Sequence, residues 1–175
     1  AMLLLGSMPE KLADHYKVGE GGAEARVKLA RLLVDTQQSA DALKWLEPVL
    51  DQGTDSSILE LDLYPIMIEA LEQQNRPLEA AAMIKAFALR IRDPDTLVDL
   101  YAREVRNRIS GGELEPVEKQ LGEWLAQYGD VDSLTTAQAV LATAWREKGM
   151  LEKAKFAYER YLSVVSDPVK RLPAQ

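Results

Sequence analysis

The sequence contains no cysteine and a single histidine, His15, and these two shortages remove most of the common metal and nucleophile chemistry. Without cysteine there can be no disulfide, no thiolate metal site, no iron–sulfur cluster and no cysteine nucleophile. One histidine within a helical segment indicates a packing or surface role rather than catalysis. We therefore expect no enzymatic activity, no catalytic residue, no metal site and no cofactor.

Basic charge and long apolar runs are also scarce. The chain has 21 Lys and Arg against 28 Asp and Glu, a net charge of −7. This balance argues against general binding of nucleic acid, which requires cationic side chains. The apolar opening over 1–8 is too short to span a bilayer. It is interpreted either as a cloning remnant or as the trimmed end of a membrane anchor, so we favour a cytoplasmic or membrane-tethered soluble segment.

The distribution of apolar residues predicts a helical protein. Strict alternation of apolar and polar residues is almost absent, and apolar residues recur at intervals of three and four. Glycine, proline, asparagine and aspartate interrupt this pattern and divide it into about nine helices. Pro65 lies inside one of them and should kink or divide that helix. The predicted ranges are 9–18, 22–36, 39–50, 57–74, 77–91, 95–109, 113–128, 134–148 and 151–165.

The predicted helices form pairs that repeat along the chain, here called helix A and helix B of each pair. Corresponding residues recur at spacings of 38, 37 and 37 residues. A fixed period of this length indicates stacked helical hairpins that cannot bury their apolar faces alone. The aligned sets are Ala30, Ile68, Val105 and Ala142 in helix A, then Ala42, Ala80, Val117 and Ala154, and Leu46, Ile84, Leu121 and Tyr158, in helix B.

The first and fourth pairs carry the most specific residues. Leu29-Ala30 and Leu141-Ala142 are Leu-small pairs in helix A, and Gly149 lies in the turn before the fourth helix B. This arrangement resembles the tetratricopeptide repeat over about residues 23–168. The third pair departs most, because Glu104-Val105 replaces the Leu-small pair and Arg108 replaces a large apolar residue. The pairs also exceed the family's usual 34 residues, so other helical-hairpin solenoids stay open.

The resemblance implies an all-α, right-handed superhelix of about four hairpins plus a leading N-terminal helix, as one domain over 9–168 with a tail at 169–175. In this family the free faces of the A helices line a concave surface. The chain lacks the family's usual carboxylate-clamping set, so the resemblance implies a scaffold that binds a protein or peptide in general. The implied groove residues are Val27, Arg31, Asp35, Glu69, Glu72, Gln73, Arg106, Thr143, Arg146 and Glu147.

An alternative function is a structural assembly module that uses its ends and convex face. Tyr161, Leu162 and Val165 stay apolar near the end of the last helix, where a solenoid normally needs a polar cap. We expect this face to be covered by a second copy of the chain or by the rest of a longer protein, unless it is simply an exposed end.

Two other features leave open interpretations. Residues 51–79 contain seven acids and one base, and residues 85–108 contain six bases and four acids. These segments form either an ordinary solvated surface or an acidic zone beside a basic zone along a groove. Trp45, Trp124 and Trp145 are interpreted as core residues rather than stacking platforms for a ligand.

Overall fold

The computed structural model describes residues 20–52, 57–129 and 131–165, and within these ranges every regular element is an α-helix. The helix bounds lie within three residues of the predicted ones. The predicted leading helix over 9–18 and the tail from 169 lie outside the described residues. The helices are α1 (Glu20–Asp35), α2 (Ser39–Gln52), α3 (Ser57–Gln73), α4 (Pro77–Ala88), α5 (Pro94–Ser110), α6 (Leu114–Tyr128), α7 (Asp132–Glu147) and α8 (Leu151–Val165).

The chain divides into two compact units, residues 1–74 and 75–175. In the first unit, α1, α2 and α3 each pack against the other two. In the second unit, α5 packs against α4, α6 and α7, while α7 also packs against α6 and α8. The boundary falls between helix A and helix B of the second predicted pair. The prediction of a single solenoid domain over 9–168 stays a prediction.

The residues aligned by the repeat form the centre of each unit. Apart from Tyr158, which is half-buried, every aligned position is at most 3% exposed. Small residues at these positions let neighbouring helices approach closely, and the larger ones fill the space between them. A core cluster of the second unit extends from Val98 on α5 to Ala154 on α8 and contains the indole of Trp145.

Each helix A is followed by a residue in the left-handed backbone conformation, and these residues recur with the period of the repeat. They are Gln37, Asn75, Gly112 and Gly149, with φ of 62°, 54°, 89° and 76°. After α7, Gly149 N–H donates to Arg146 O and Met150 N–H donates to Trp145 O, both at 2.9 Å. This pair of hydrogen bonds is a Schellman motif, which satisfies carbonyls at the end of a helix. The same two bonds follow α1 and α5.

Pro65 does not divide its helix, so of the two expected effects, a kink or a division, the division is wrong. Helix α3 is continuous from Ser57 to Gln73 and contains Pro65, and α2 contains Pro48 in the same way. A proline removes one backbone donor and crowds the preceding turn. The helix continues because burial of apolar residues on both sides of the proline, at Leu63 and Ile66 in α3, stabilises the flanking turns.

Candidate functional site

In the first unit, the predicted groove residues form a compact group of ion pairs and hydrogen bonds. Arg31 Nη1 on α1 donates to Glu69 Oε2 on α3 at 2.7 Å, and Asp35 Oδ1 lies 3.9 Å from the same nitrogen. Arg31 and Glu69 are 38 residues apart, so they occupy equivalent positions of successive A helices. All three side chains are partly exposed, and the ion pairs leave the group with a net charge near −1.

Gln73 and Glu72 lie at the end of α3, beside the start of α2. The fully buried hydroxyl of Ser39 donates a hydrogen bond to Gln73 Oε1, which fixes the amide of a half-buried side chain. Glu72 is also half-buried. Val27 is different, because it is only 4% exposed and belongs to the core. The prediction that Val27 lies on the open surface of the groove is therefore wrong, since its apolar side chain packs between helices instead of facing solvent.

In the second unit, the predicted groove residues lie on α5 and α7, which pack against each other. Arg106 is half-buried on α5, and Arg146 and Glu147 are exposed at the end of α7. The hydroxyl groups of Thr143 and Tyr158 lie 2.9 Å apart and share a hydrogen bond between α7 and α8. Thr143 therefore links two helices as well as contributing to the surface.

The predicted C-terminal contact face is exposed in part. Leu162 is 54% exposed and Tyr161 is half-buried, while the side chain of Val165 lies outside the described residues. Sequence reasoning did not single out Leu151 and Phe156 on the same helix, although both are more than 60% exposed. Both residues lie on the side of the helix away from the buried Ala154 and Ala157, and this position in the helical period indicated their exposure.

The three tryptophans occupy buried or half-buried positions. Trp145 is 1% exposed in the core of the second unit, and Lys153 Nζ lies 4.0 Å from its ring centroid. Trp124 is half-buried and stacks on Tyr101 with 4.4 Å between ring centroids. Burial and the neighbouring Tyr128 raise the pKa of Tyr101. These contacts assign Trp124 and Trp145 to packing, and Trp45 is half-buried on α2.

The structure also forms a polar cluster that sequence reasoning did not place in a site. Glu104 on α5 is only 4% exposed, and its carboxylate lies 3.6 Å from the guanidinium of Arg108. Arg108 also donates to Glu113 Oε2 at 2.7 Å and to the amide oxygen of Gln120 on α6. Burial raises the pKa of Glu104, and the charges of Arg108 and Lys85 oppose that increase.

A cleft of about 230 Å³ opens beside this cluster, between α4, α5 and the turn before α6. Leu78 packs over Gly111, where an added Cβ would lie 2.3 Å from Leu78 Cδ2. The signal for this site was the departure of Glu104 and Arg108 from the repeat pattern. The cleft is lined by Leu78, Ala81, Ala82, Lys85, Glu104, Arg108 and Glu113.

Helices α1 to α8 include none with the length and apolar character needed to cross a bilayer. No group of three or more histidine, aspartate or glutamate side chains within residues 20–52, 57–129 and 131–165 is arranged to hold a metal ion.

Comparison with known proteins gives no relative for this chain: no family model, no curated protein and no solved structure matches it.

Proposed function

We propose that the chain is a tetratricopeptide-like helical repeat that acts as a non-enzymatic scaffold for a protein or peptide partner. The observation that carries the proposal is the left-handed residue after each helix A, at 37, 75, 112 and 149, in step with the buried aligned positions. Repeat proteins in general present equivalent side chains of successive repeats in rows. Such rows are the surfaces that repeat proteins use for extended partners.

One row of equivalent positions supports a polar partner. Arg31, Glu69, Arg106 and Thr143 share one position of the successive A helices, and each is at least partly exposed. In the first unit, the Arg31–Glu69 ion pair is half-exposed. Its charges can therefore steer a charged partner during association, and exposure to solvent keeps the energetic cost of the pair small. In the second unit, Arg106 and Arg146 have no ion-pair partner among the described residues, which favours an acidic partner segment there.

The test is affinity capture followed by a direct binding measurement with charge variants. The double variant Arg106→Glu/Arg146→Glu should weaken binding mainly through a slower association rate, and more strongly at low salt than at high salt. Arg92→Glu is the matched control, since Arg92 is an exposed arginine in the loop between α4 and α5. Equal affinity for both variants at low ionic strength would place the contact elsewhere.

The first unit needs a different variant, because Glu69 already has a partner in the chain. Reversal of Glu69 alone would set two cations beside each other and disturb the fold locally. The swap Arg31→Glu/Glu69→Arg retains the ion pair while it reverses the position of each charge. A partner that contacts this row should bind the swapped protein less well, whereas thermal stability should stay near that of the original protein.

The assembly module remains a second candidate, favoured by the exposed apolar residues of α8. Leu151, Phe156 and Leu162 are each more than half exposed. In this alternative the helix packs against a second copy or against the rest of a longer protein. Light scattering with Leu162→Glu as the comparison distinguishes these cases. A concentration-dependent dimer that the substitution dissociates supports self-assembly, and a monomer unaffected by it argues against self-assembly.

A further inference from the structure

The cleft beside Glu104 has four charged side chains that are unequally paired. Arg108 and Glu113 form a close ion pair at 2.7 Å, and Arg108 also lies beside Glu104. Lys85, which reaches the cleft from α4, is exposed and has no ion-pair partner within the described ranges. Both carboxylates lie beside Arg108, so Lys85 is the cation of the cleft without a close carboxylate, and the group that would pair with it is an anion.

The state of Glu104 also bears on the choice of ligand. A fully ionised carboxylate on the wall would repel an entering anion. Burial raises the pKa of Glu104, and the guanidinium of Arg108, 3.6 Å away, offsets the charge of the ionised carboxylate and lessens that repulsion. A cationic ligand would instead meet the positive charge of Lys85, while both carboxylates of the cleft already lie beside Arg108.

The other wall of the cleft is apolar and shaped by small residues. Ala81 and Ala82 on α4 leave space between the helices, and the side chain of Leu78 packs over the turn at Gly111. Gly111 makes this position of Leu78 possible, because a Cβ there would lie 2.3 Å from Leu78 Cδ2 and 2.6 Å from its Cγ. A ligand in the cleft can thus contact an apolar surface with one part while another part meets Lys85.

From these features we infer that the cleft between α4 and α5 binds an aliphatic carboxylate, with Lys85 as the ion-pair partner and Leu78 and Ala81 against the alkyl chain. The carboxylate is either the glutamate side chain of a partner or a free short-chain acid, since both present the same groups. The site shares no residue with the row proposed for the scaffold function, so either proposal can fail without the other.

Protein-observed NMR with butyrate tests the inference on the intact chain, in buffer without other carboxylates or phosphate. Butyrate should give saturable shifts, with millimolar affinity, confined to amides of residues 78–85 and 104–113. Lys85→Gln should raise the dissociation constant about tenfold, because a charge-assisted contact is lost. Lys119→Gln is the matched control, since Lys119 is an exposed lysine on α6. Leu78→Ala should weaken butyrate more than acetate.

Neutral butyramide, which has nearly the shape of butyrate, separates charge recognition from apolar contact. Equal binding of butyramide, shifts spread over many lysines, or an unchanged dissociation constant in Lys85→Gln would each overturn the inference. Glutamate capped as its acetyl and methylamide derivative distinguishes the two sources. If it competes with butyrate for the same amides, the ligand is a partner's side chain, and if it does not, the ligand is a free acid.

Discussion

Glu104 is a buried carboxylate whose charged neighbour can be removed by one substitution, Arg108→Met. The guanidinium of Arg108 lies 3.6 Å from Glu104 and is itself mostly buried. Removal of one member of a buried pair leaves the other charge uncompensated and typically costs about 3–5 kcal/mol. The 3.6 Å between Arg108 and Glu104 is long for an ion pair, and the positive charge of Lys85 still favours the ionised form of Glu104. We therefore expect the lower end, about 3 kcal/mol. For a chain of this size, that loss lowers Tm by about 6–12 °C.

Substitution of Glu104 itself should have the opposite effect. Glu104→Gln removes the buried charge and leaves Arg108 paired with Glu113 at 2.7 Å. Burial outweighs the attraction of Arg108 in setting the pKa of Glu104. We therefore expect the single variant to be as stable as the original protein at neutral pH, or more stable. The double variant Glu104→Gln/Arg108→Met should recover most of the stability that Arg108→Met loses.

The pH dependence gives a second and independent readout. The pKa of Glu104 is raised in the folded state from its usual value of 4.5. The folded protein therefore holds this proton at pH values where the unfolded chain has released it, and Glu104 contributes stability below about pH 4.5. That contribution is lost as the pH rises through the folded pKa. The advantage of Glu104→Gln should accordingly grow as the pH rises above about 4.5 and through the folded pKa, and Arg108→Met should steepen the loss.

Urea denaturation followed by tryptophan fluorescence measures these effects, since Trp124 and Trp145 report on the second unit. The original protein, the two single variants and the double variant are compared over a pH series that starts at about 4.5, the unfolded value, and extends to about 8. A coupling energy near zero, with Arg108→Met equally harmful in the original protein and in the Glu104→Gln background, would refute the reasoning. In that case Arg108 would stabilise the fold through Glu113 and Gln120 alone.

Three further substitutions test the repeat and its turns by chemical denaturation. Ala142→Leu should cost about 1–3 kcal/mol, because residue 142 is fully buried between helices; a neutral effect would show that the helix register is wrong. Ser39→Ala should cost about 1–2 kcal/mol, since it removes the hydrogen bond to Gln73, and Ser39→Thr should retain part of it. Gln37→Gly should stabilise the chain by about 1 kcal/mol and Gly149→Ala should destabilise it by a similar amount, because both positions have positive φ.

The helices and the buried alignment could be predicted from the sequence because both depend on local signals. Glycine and proline mark the ends of helices, and the period of the apolar residues marks the buried faces. Gln37 carried no such signal, since its side chain does not favour a positive φ, and only the repeat spacing to Gly112 could have indicated its conformation. Pro65 lies inside the predicted range 57–74, and the helix stays continuous there because packing on both sides of the proline outweighs one lost backbone hydrogen bond.

The site was harder to predict because pairing between distant side chains leaves no local pattern. Arg31 and Glu69 could each be assigned to one face of a helix, but their ion pair depends on the approach of α1 and α3. The burial of Glu104 was visible only as a departure from the repeat. A carboxylate at a position that favours leucine is costly unless its neighbours supply charge and hydrogen bonds, and Arg108 and Gln120 do so here.

The third pair therefore contains a polar group where the other pairs contain an apolar one, and a purely structural role does not require it. A buried ion pair seldom stabilises a protein more than well-packed apolar residues of similar volume. A stable apolar replacement of Glu104 and Arg108 would separate folding from recognition. The double variant Glu104→Leu/Arg108→Met should fold with near-original stability, but its cleft would lose half of its charged lining. If butyrate still binds this protein with unchanged affinity, Lys85 alone accounts for the site, and the polar cluster serves only to join α5 to α6.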